Sequence, residues 1–280
     1  MKTITVQDHS VSKEIFELHY NSELDMLETS PLPAPSELSK YYDTEDYISH
    51  TDAKRNLFEK VYHLVRSYAI KNKISLINSL ADKGTFLDIG CGTGDVLKAA
   101  QDNGWTITGI EPNEKARALA NSKTNNCVFD ISELNTLPDH SFDVISLWHV
   151  LEHLPNLEEH VGLFKRLLKP NGKLIIAVPN YKSFDAAYYN EFWAAYDVPR
   201  HLWHFSQNSI KLLFSKFGMT IVKTLPMKFD SYYVSLLSET YKTGHQNFIK
   251  AFYIGLRSNL KAKRTSEYSS LIYVLQNTKN

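Results

Sequence analysis

Apolar positions along the chain follow two regimes. From Gly84 onward, short apolar runs alternate with stretches of helical spacing. Thr85 to Ile89, Thr106 to Ile110, Cys127 to Phe129, Phe142 to Leu147 and Leu174 to Val178 read as strands. Between them the pattern predicts a helix ending at Gly104, one opening near Pro112, and one over Leu157 to Leu168 that stops at Pro170, Asn171 and Gly172. Alternation of this kind dictates right-handed crossovers and an α/β fold, a parallel sheet with helices on both faces. Met219 to Leu225 and Leu271 to Leu275 read as two further strands, and Phe229 to Arg264 between them as helical. In that stretch Phe248, Phe252, Leu256 and Leu260 recur every four residues beside Arg257, Lys261, Lys263 and Arg264, the pattern of a basic amphipathic helix.

Upstream of Gly84 the pattern changes. Leu57, Val61, Leu64, Val65 and Tyr68 are spaced for an amphipathic helix packing on something larger, with Thr51 or Asp52 placed to cap it. Before it come the short alternating pieces TITV and FELHY and the prolines Pro31, Pro33 and Pro35. These predict a small appendage and stiff linker over residues 1–50, followed by the main domain over 51–280. The first fifty residues carry ten acids against three lysines, a net of minus seven that the remainder balances. The whole chain has 31 basic and 31 acidic residues, so it offers no broad cationic field to a polyanion, and nucleic acid is not expected as a partner. Only Cys91 and Cys127 occur, too few for a disulfide framework or a four-thiolate zinc site, which suits a reducing cytoplasm. The opening MKTITVQDHS lacks the apolar stretch of a signal peptide, and no run of 18 apolar residues appears, so the expectation is a soluble, intracellular protein.

Candidate chemistry begins at LDIGCGTGD, which puts Gly90, Gly92 and Gly94 after the first strand of the alternating region and before a helix. There a backbone must turn tightly and let a ligand approach its amides. Glu111 ends the next strand, seventeen residues after Gly94, where a carboxylate accepts both hydroxyls of a ribose. The spacing is GxGxG rather than GxGxxG, with Asp95 at the last position, which counts against a nicotinamide dinucleotide.

LDIGCGTGDVL, GIEPN, FDVISLWHVLEHL and LLKPNGKLIIAVPN, in that order over residues 84–180, resemble the class I S-adenosylmethionine-dependent methyltransferases. The resemblance implies a Rossmann-like, seven-stranded, mostly parallel sheet with an antiparallel last strand. It also implies S-adenosylmethionine as cofactor and S-adenosylhomocysteine as product. Gly90, Cys91, Gly92 and Gly94 would then cradle the methionine part, with Asp88 orienting its amino group. Glu111, followed by Pro112, would hold the ribose, and Asp130 with Ile131 would flank the adenine. His149, Glu152 and His153 spell HxxEH, also a zinc-hydrolase pattern. Similar methyltransferases carry such a stretch as a metal-free wall of the cofactor pocket, so no metal is expected. Trp148 and His149 would touch cofactor or acceptor, while Glu152 and His153 cap or brace the following helix.

Nine of the twenty-five residues from Tyr181 to Phe205 are aromatic, a density suited to a lid over an apolar or planar substrate, with a second lid insertion near 229–264. DVPRHLWHFS in this stretch resembles a bacterial subfamily with a D-x-P-R-H-L-x-H-F signature after the fifth strand of the sheet. Asp197, Arg200, His201 and His204 are therefore candidates around the acceptor, against the alternative that Asp197 and Arg200 form a structural ion pair and the aromatics are core. His201 is the first choice of base for a hydroxyl acceptor, with His149 and His204 behind it. The basic helix would touch a membrane surface or an anionic substrate, or form a solvated face. Relatives of this subfamily can begin with a cysteine-rich zinc ribbon. Here no cysteine precedes position 91, so any such ribbon must hold together without thiolate ligands. The expected function is S-adenosylmethionine-dependent methylation of a small-molecule acceptor, on oxygen. The alternatives are a non-catalytic cofactor-binding module and a protein or RNA methyltransferase.

Overall fold

The computed structural model describes residues 3–34, 37–42 and 57–278. Thr51 and Asp52, the expected helix caps, and Pro35 of the expected linker lie outside the described residues. The chain opens with β1 (Ile4–Gln7), β2 (Ile15–Asn21) and β3 (Met26–Ser30), followed by helix α1 (Leu57–Leu80). Then come β4 (Thr85–Ile89), α2 (Asp95–Asp102), β5 (Thr106–Ile110), α3 (Glu114–Thr124), β6 (Val128–Phe129) and β7 (Phe142–Trp148). They lead to α4 (Leu157–Leu167), β8 (Leu168–Pro179), α5 (Phe184–Tyr189), β9 (Trp203–His204) and α6 (Gln207–Lys216). The chain closes with β10 (Met219–Pro226), α7 (Asp230–Thr243), α8 (Phe248–Thr265) and β11 (Ser270–Asn277).

The expected Rossmann-like sheet is present: seven strands in the order β10-β11-β8-β7-β4-β5-β6, with the last strands antiparallel. Parallel register aligns Ile89 with Ile110 and with Leu147, so β4, β5 and β7 end side by side. Residues directly after those strands are thereby gathered at one sheet edge. One expected boundary differs. The chain continues as strand through Pro170, Asn171 and Gly172, where a stop was predicted, because α4 has already ended at Leu167.

The chain divides into two compact units, one of residues 1–44, 149–158 and 177–273 and the other of 45–148, 159–176 and 274–280. This differs from the expected division at residue 50. In the second unit, Phe86, Leu87, Ile89, Val144, Ile145, Leu147, Leu174 and Ile176 are buried, the continuous apolar runs of strands covered on both faces. Helix α1 packs through Ile74 and Ile77. The apolar positions expected to anchor it, Leu64 and Tyr68, are exposed, Leu64 at 71%. Val65, from the same expected set, is half-buried, and the side chains of Leu57 and Val61 lie outside the described residues.

In the first unit β1, β2 and β3 form an antiparallel sheet completed by β9, with Leu27 opposite His204 and Glu28 opposite Trp203. Its inner face, Val6, Phe16, Leu18 and Leu27, belongs to one core with Tyr189, Trp193, Tyr196, Val234 and Ile254. Of the two expectations for the aromatics of the 181–205 stretch, lid or core, the burial of Tyr189, Trp193 and Tyr196 agrees with core, since the N-terminal sheet gives them apolar surface to bury. Two carboxylates organise the turns of this sheet. Asp8 accepts from the amides of Ser10, Val11 and Ser12 at 2.9, 3.1 and 2.7 Å. Asp25 accepts from Tyr20, Lys182 and Ser206 at 3.0, 2.6 and 3.0 Å.

Helix α8 has an inverted apolar pattern. It buries Ala251, Ile254, Gly255, Ser258 and Ala262, largely small residues that let α7 approach closely, as a Cβ on Gly255 would lie 2.9 Å from the Tyr232 backbone. The large residues on the opposite side, Phe252, Leu256 and Leu260, are exposed.

Candidate functional site

The second unit builds a cradle at the ends of β4, β5 and β7. Gly90 and Cys91 follow β4, and both amides donate to the Ile110 carbonyl that ends β5, at 2.7 and 3.1 Å. The loop turns through positive φ at Gly90, Gly92 and Gly94. At Gly94 (φ 77) a Cβ would stand 2.8 Å from that of Ala120, so the missing side chain lets α2 start against α3. At Gly92 (φ 55) a Cβ would meet nothing within 4 Å, so the loop there is open to a ligand.

Glu111, buried directly after β5, accepts from the Gly92 amide at 2.8 Å through Oε2 and from the Asn113 amide at 2.9 Å through Oε1. One lone pair on each oxygen remains for a pair of vicinal hydroxyls. Burial raises its pKa, against the opposing pull of those two amides and of Arg117. Pro112 is exposed, and its carbonyl accepts from Arg117 at 2.9 Å.

Asp88, inside β4, is the most perturbed carboxylate of the cradle. Burial pushes its pKa up to about 6, against a hydrogen bond from Ser146 and the positive charge of Lys73. The displacement amounts to a penalty on the order of 3 kcal/mol for the ionised form. Ser146 also accepts from Trp148 Nε1 at 3.1 Å, and the Lys73 ammonium lies 4.3 Å from the Trp148 ring centroid. Burial likewise raises the Cys91 thiol well above its ordinary value, so it stays protonated and is no nucleophile. Asp130 caps the turn Ile131–Thr136, accepting from Ser132 at 3.1 Å, and pairs with Arg117 at 3.0 Å.

The first unit gathers the histidines. His149, the residue after Trp148, has a left-handed backbone (φ 57), which costs a non-glycine residue roughly 1–2 kcal/mol. Its Nδ1 lies 3.3 Å from Glu152 and its Nε2 3.1 Å from Asp230. Burial opposes its charge, but the two carboxylates outweigh that and raise its pKa to about 10. His149 is therefore charged at neutral pH and donates hydrogen bonds instead of accepting protons.

Glu152 and His153 occupy the turn Leu151–His153. They brace the 200–202 segment rather than the following helix: the Glu152 carbonyl accepts from the Leu202 amide at 2.8 Å, and His153 Nδ1 donates to the Arg200 carbonyl at 3.0 Å. Burial and the neighbouring His201 lower the His153 pKa to about 4. His201 donates from Nδ1 to the Ala195 carbonyl at 2.9 Å, and its Nε2 has the Asp197 carboxylate at 3.9 Å.

The other two members of the signature and His204 are engaged in the fold. Arg200 donates from Nε and Nη2 to the two Asp197 oxygens at 3.0 and 2.6 Å, and also to Asp8 at 3.2 Å and to the Tyr41 carbonyl at 3.0 Å. His204 is buried against Thr29, 3.0 Å away, and burial keeps it neutral.

The structure thus brings Asp88, Gly90, Gly92 and Glu111 together in one unit and His149, Glu152, His153 and His201 together in the other. Sequence reasoning did not single out Ser146, Lys73, Arg117 or Asp230 as site residues. Ser146 is visible as the one polar residue inside the apolar run VISLW, whereas the other three are set by tertiary packing.

The family model of a methyltransferase domain matches residues 61–224, more than half of the chain. The chain belongs to the methyltransferase domain family. The match covers the glycine loop, Glu111 and the histidine turn. A sterol 4-C-methyltransferase of Caenorhabditis elegans is 36% identical to the methyltransferase over 100 residues, 32% of this chain and 29% of that protein. A ubiquinone biosynthesis O-methyltransferase of Coxiella burnetii is 29% identical over 116 residues, 39% of this chain and 49% of that one. The chain spans about half the length, or less, of these curated relatives. Among solved structures, the magnesium protoporphyrin IX methyltransferase of Synechocystis, with bound S-adenosylhomocysteine, has a TM-score of 0.58 at 14% identity, covering 88% of this chain and all of that one. A methyltransferase of Archaeoglobus fulgidus that depends on S-adenosylmethionine gives 0.54 at 20% identity, covering 79% and 98%. The shared fold is that of S-adenosylmethionine-dependent methyltransferases, and the glycine loop and Glu111 fit that cofactor.

Proposed function

We propose that this methyltransferase transfers the methyl group of S-adenosylmethionine to the oxygen of a small-molecule acceptor, within the bacterial subfamily marked by D-x-P-R-H-L-x-H-F. The observation that carries the reading is the cradle, where an open glycine loop and a buried Glu111 with a lone pair left on each oxygen suit a ribose and its attached chain. Bound there, the cofactor supplies an electrophilic methyl on a sulfonium. The chain's own residues hold and orient it: Glu111 accepts the ribose hydroxyls, Asp88 faces the amino group, and Asp130 with Ile131 borders the adenine.

Methyl transfer is an in-line displacement, so positioning and water exclusion supply much of the acceleration. A base is needed only for a protonated nucleophile. With His149 charged and His204 tied to Thr29, His201 is the group left to accept that proton. Asp197 and Arg200 hold the segment that presents it.

The partners in this reading are a small-molecule acceptor and, peripherally, an anionic membrane surface, reached through the exposed face of α8. No helix among the described residues is long and apolar enough to cross a membrane. A cytoplasmic setting belongs to the same proposal, on the two free cysteines.

Calorimetric titration of S-adenosylmethionine and S-adenosylhomocysteine tests the cradle. Micromolar binding is expected, weakened by about 1–3 kcal/mol in Glu111→Ala, the cost of lost charge-assisted hydrogen bonds. Absence of binding to either ligand would reduce the assignment to a statement about fold.

A further inference from the structure

One cluster in the first unit joins His201, the base of the reading above, to Glu152 and His153, which that reading does not use. Glu152, His153 and His201 each offer a ligand atom, and these atoms lie within 4.8 Å of one another. The rings of His153 and His201 stand edge to face, 4.5 Å between centroids. Each imidazole is oriented by a backbone carbonyl, His153 Nδ1 by Arg200 at 3.0 Å and His201 Nδ1 by Ala195 at 2.9 Å. A carbonyl only accepts, so Nδ1 donates in both rings, with the Tyr42 hydroxyl, also 3.0 Å from His153 Nδ1, accepting from the same N–H, and both Nε2 atoms carry the lone pair. That is the orientation metal-ligating histidines take from the groups around them.

The carboxylate adds an independent sign. Glu152 is fully buried, with one oxygen 3.3 Å from the His149 ring, while the other, Oε2, has no hydrogen-bond partner in the structure. An unsatisfied, buried, ionised oxygen costs several kcal/mol unless something positive meets it. His149, held between Glu152 and Asp230, fixes the carboxylate without covering that oxygen.

We propose that Glu152, His153 and His201 form a binding site for one divalent first-row transition ion. Two imidazoles and one carboxylate suit zinc, manganese or ferrous iron, and do not suit magnesium, which takes oxygen ligands. Bonds of about 2.1 Å in tetrahedral array bring donors to roughly 3.4 Å apart, so side-chain rotations of about an ångström close the set. Three protein ligands leave coordination positions for an outside group, as in sites that do chemistry instead of holding a fold. The HxxEH pattern had suggested His149 and His153 as the imidazole pair, with no metal expected. The fold instead pairs His153 with His201 and leaves His149 to hold the carboxylate. This inference does not depend on methyl transfer. It is exclusive with a His201 base, because the same Nε2 lone pair cannot serve both.

The test is calorimetric and visible-absorption titration of the metal-stripped full chain with zinc, cobalt and magnesium. The expected result is one equivalent of zinc or cobalt at micromolar affinity or tighter, cobalt ligand-field bands, and no magnesium binding at the same concentrations. Glu152→Gln and His201→Gln should each weaken zinc binding at least tenfold while S-adenosylhomocysteine binding stays unchanged. Failure of the wild type to bind either transition ion, or equal zinc affinity in a folded variant, overturns the site. If one variant does not fold, the other decides, with far-ultraviolet circular dichroism as the check. Loss of S-adenosylhomocysteine binding by the wild type would count against the cradle and leave the metal result standing.

Discussion

Asp88 shows how burial sets the charge of a single position. Its pKa of about 6, against an ordinary 3.8, means that the fold disfavours the charged form. Its contribution to stability is therefore full below about pH 3.8, falls as pH rises through about 6, and stays low above that. A cationic ligand amino group beside it would favour the carboxylate, so cofactor affinity should rise with pH through the same window. S-adenosylhomocysteine should bind about tenfold more weakly at pH 5 than at pH 7.5. Asp88→Asn should remove that dependence, and a wild-type dissociation constant equal at both pH values would remove Asp88 from the amino-group site. The ionisation partner Lys73 comes from a helix that sequence reasoning treated only as packing.

The 197–204 segment is where helices and strands from distant parts of the chain depend on one ion pair. Arg200 has its guanidinium in a forked pair with Asp197, a bond to Asp8 after β1 and another to the Tyr41 carbonyl, with only 9% of its side chain exposed. Removing one member of a buried pair strands the others, at a typical cost of 3–5 kcal/mol. Arg200→Ala should therefore lower the unfolding free energy read from urea titration of the full chain by about that amount, whereas a mutant of wild-type stability and lost turnover would point to direct contact with the acceptor. This segment also explains why the aromatic stretch is core. With β9 paired to β3, Trp193 and Tyr196 share one buried core with Phe16 and Leu18.

At the scale of the molecule, the exposed side of α8 gathers the largest group of exposed large apolar residues among the described residues. Ile249 is 86% exposed, and Phe252, Tyr253, Leu256 and Leu260 share that side, with Lys263 and Arg264 exposed at its C-terminal end. Apolar residues with a basic rim complement an anionic lipid surface, where the rings and aliphatic chains enter the headgroup layer and the cations meet phosphate. Cosedimentation with vesicles of mixed zwitterionic and anionic phospholipid should be seen for the wild type and lost in the Ile249→Ser, Phe252→Ser double variant. Binding to purely zwitterionic vesicles should be weak, and equal sedimentation of variant and wild type would rule the face out.

Local order was legible in the chain because its causes are local. The apolar runs of β4, β5 and β7, the glycine turn and Glu111 at the end of β5 all follow from periodicity and spacing, and together they specify the sheet and the cradle. The partners were not legible, because a helix with two apolar sides does not announce which one is inside. In α8 the small residues pack because they allow close approach to α7, leaving the large ones outside. The histidines of HxxEH were visible, but their chemical neighbours Asp230 and His201 arrive only through folding of the first unit. Motif spacing fixes what a backbone can do within one turn, and long-range packing alone chooses which carboxylate, cation or ring completes a site.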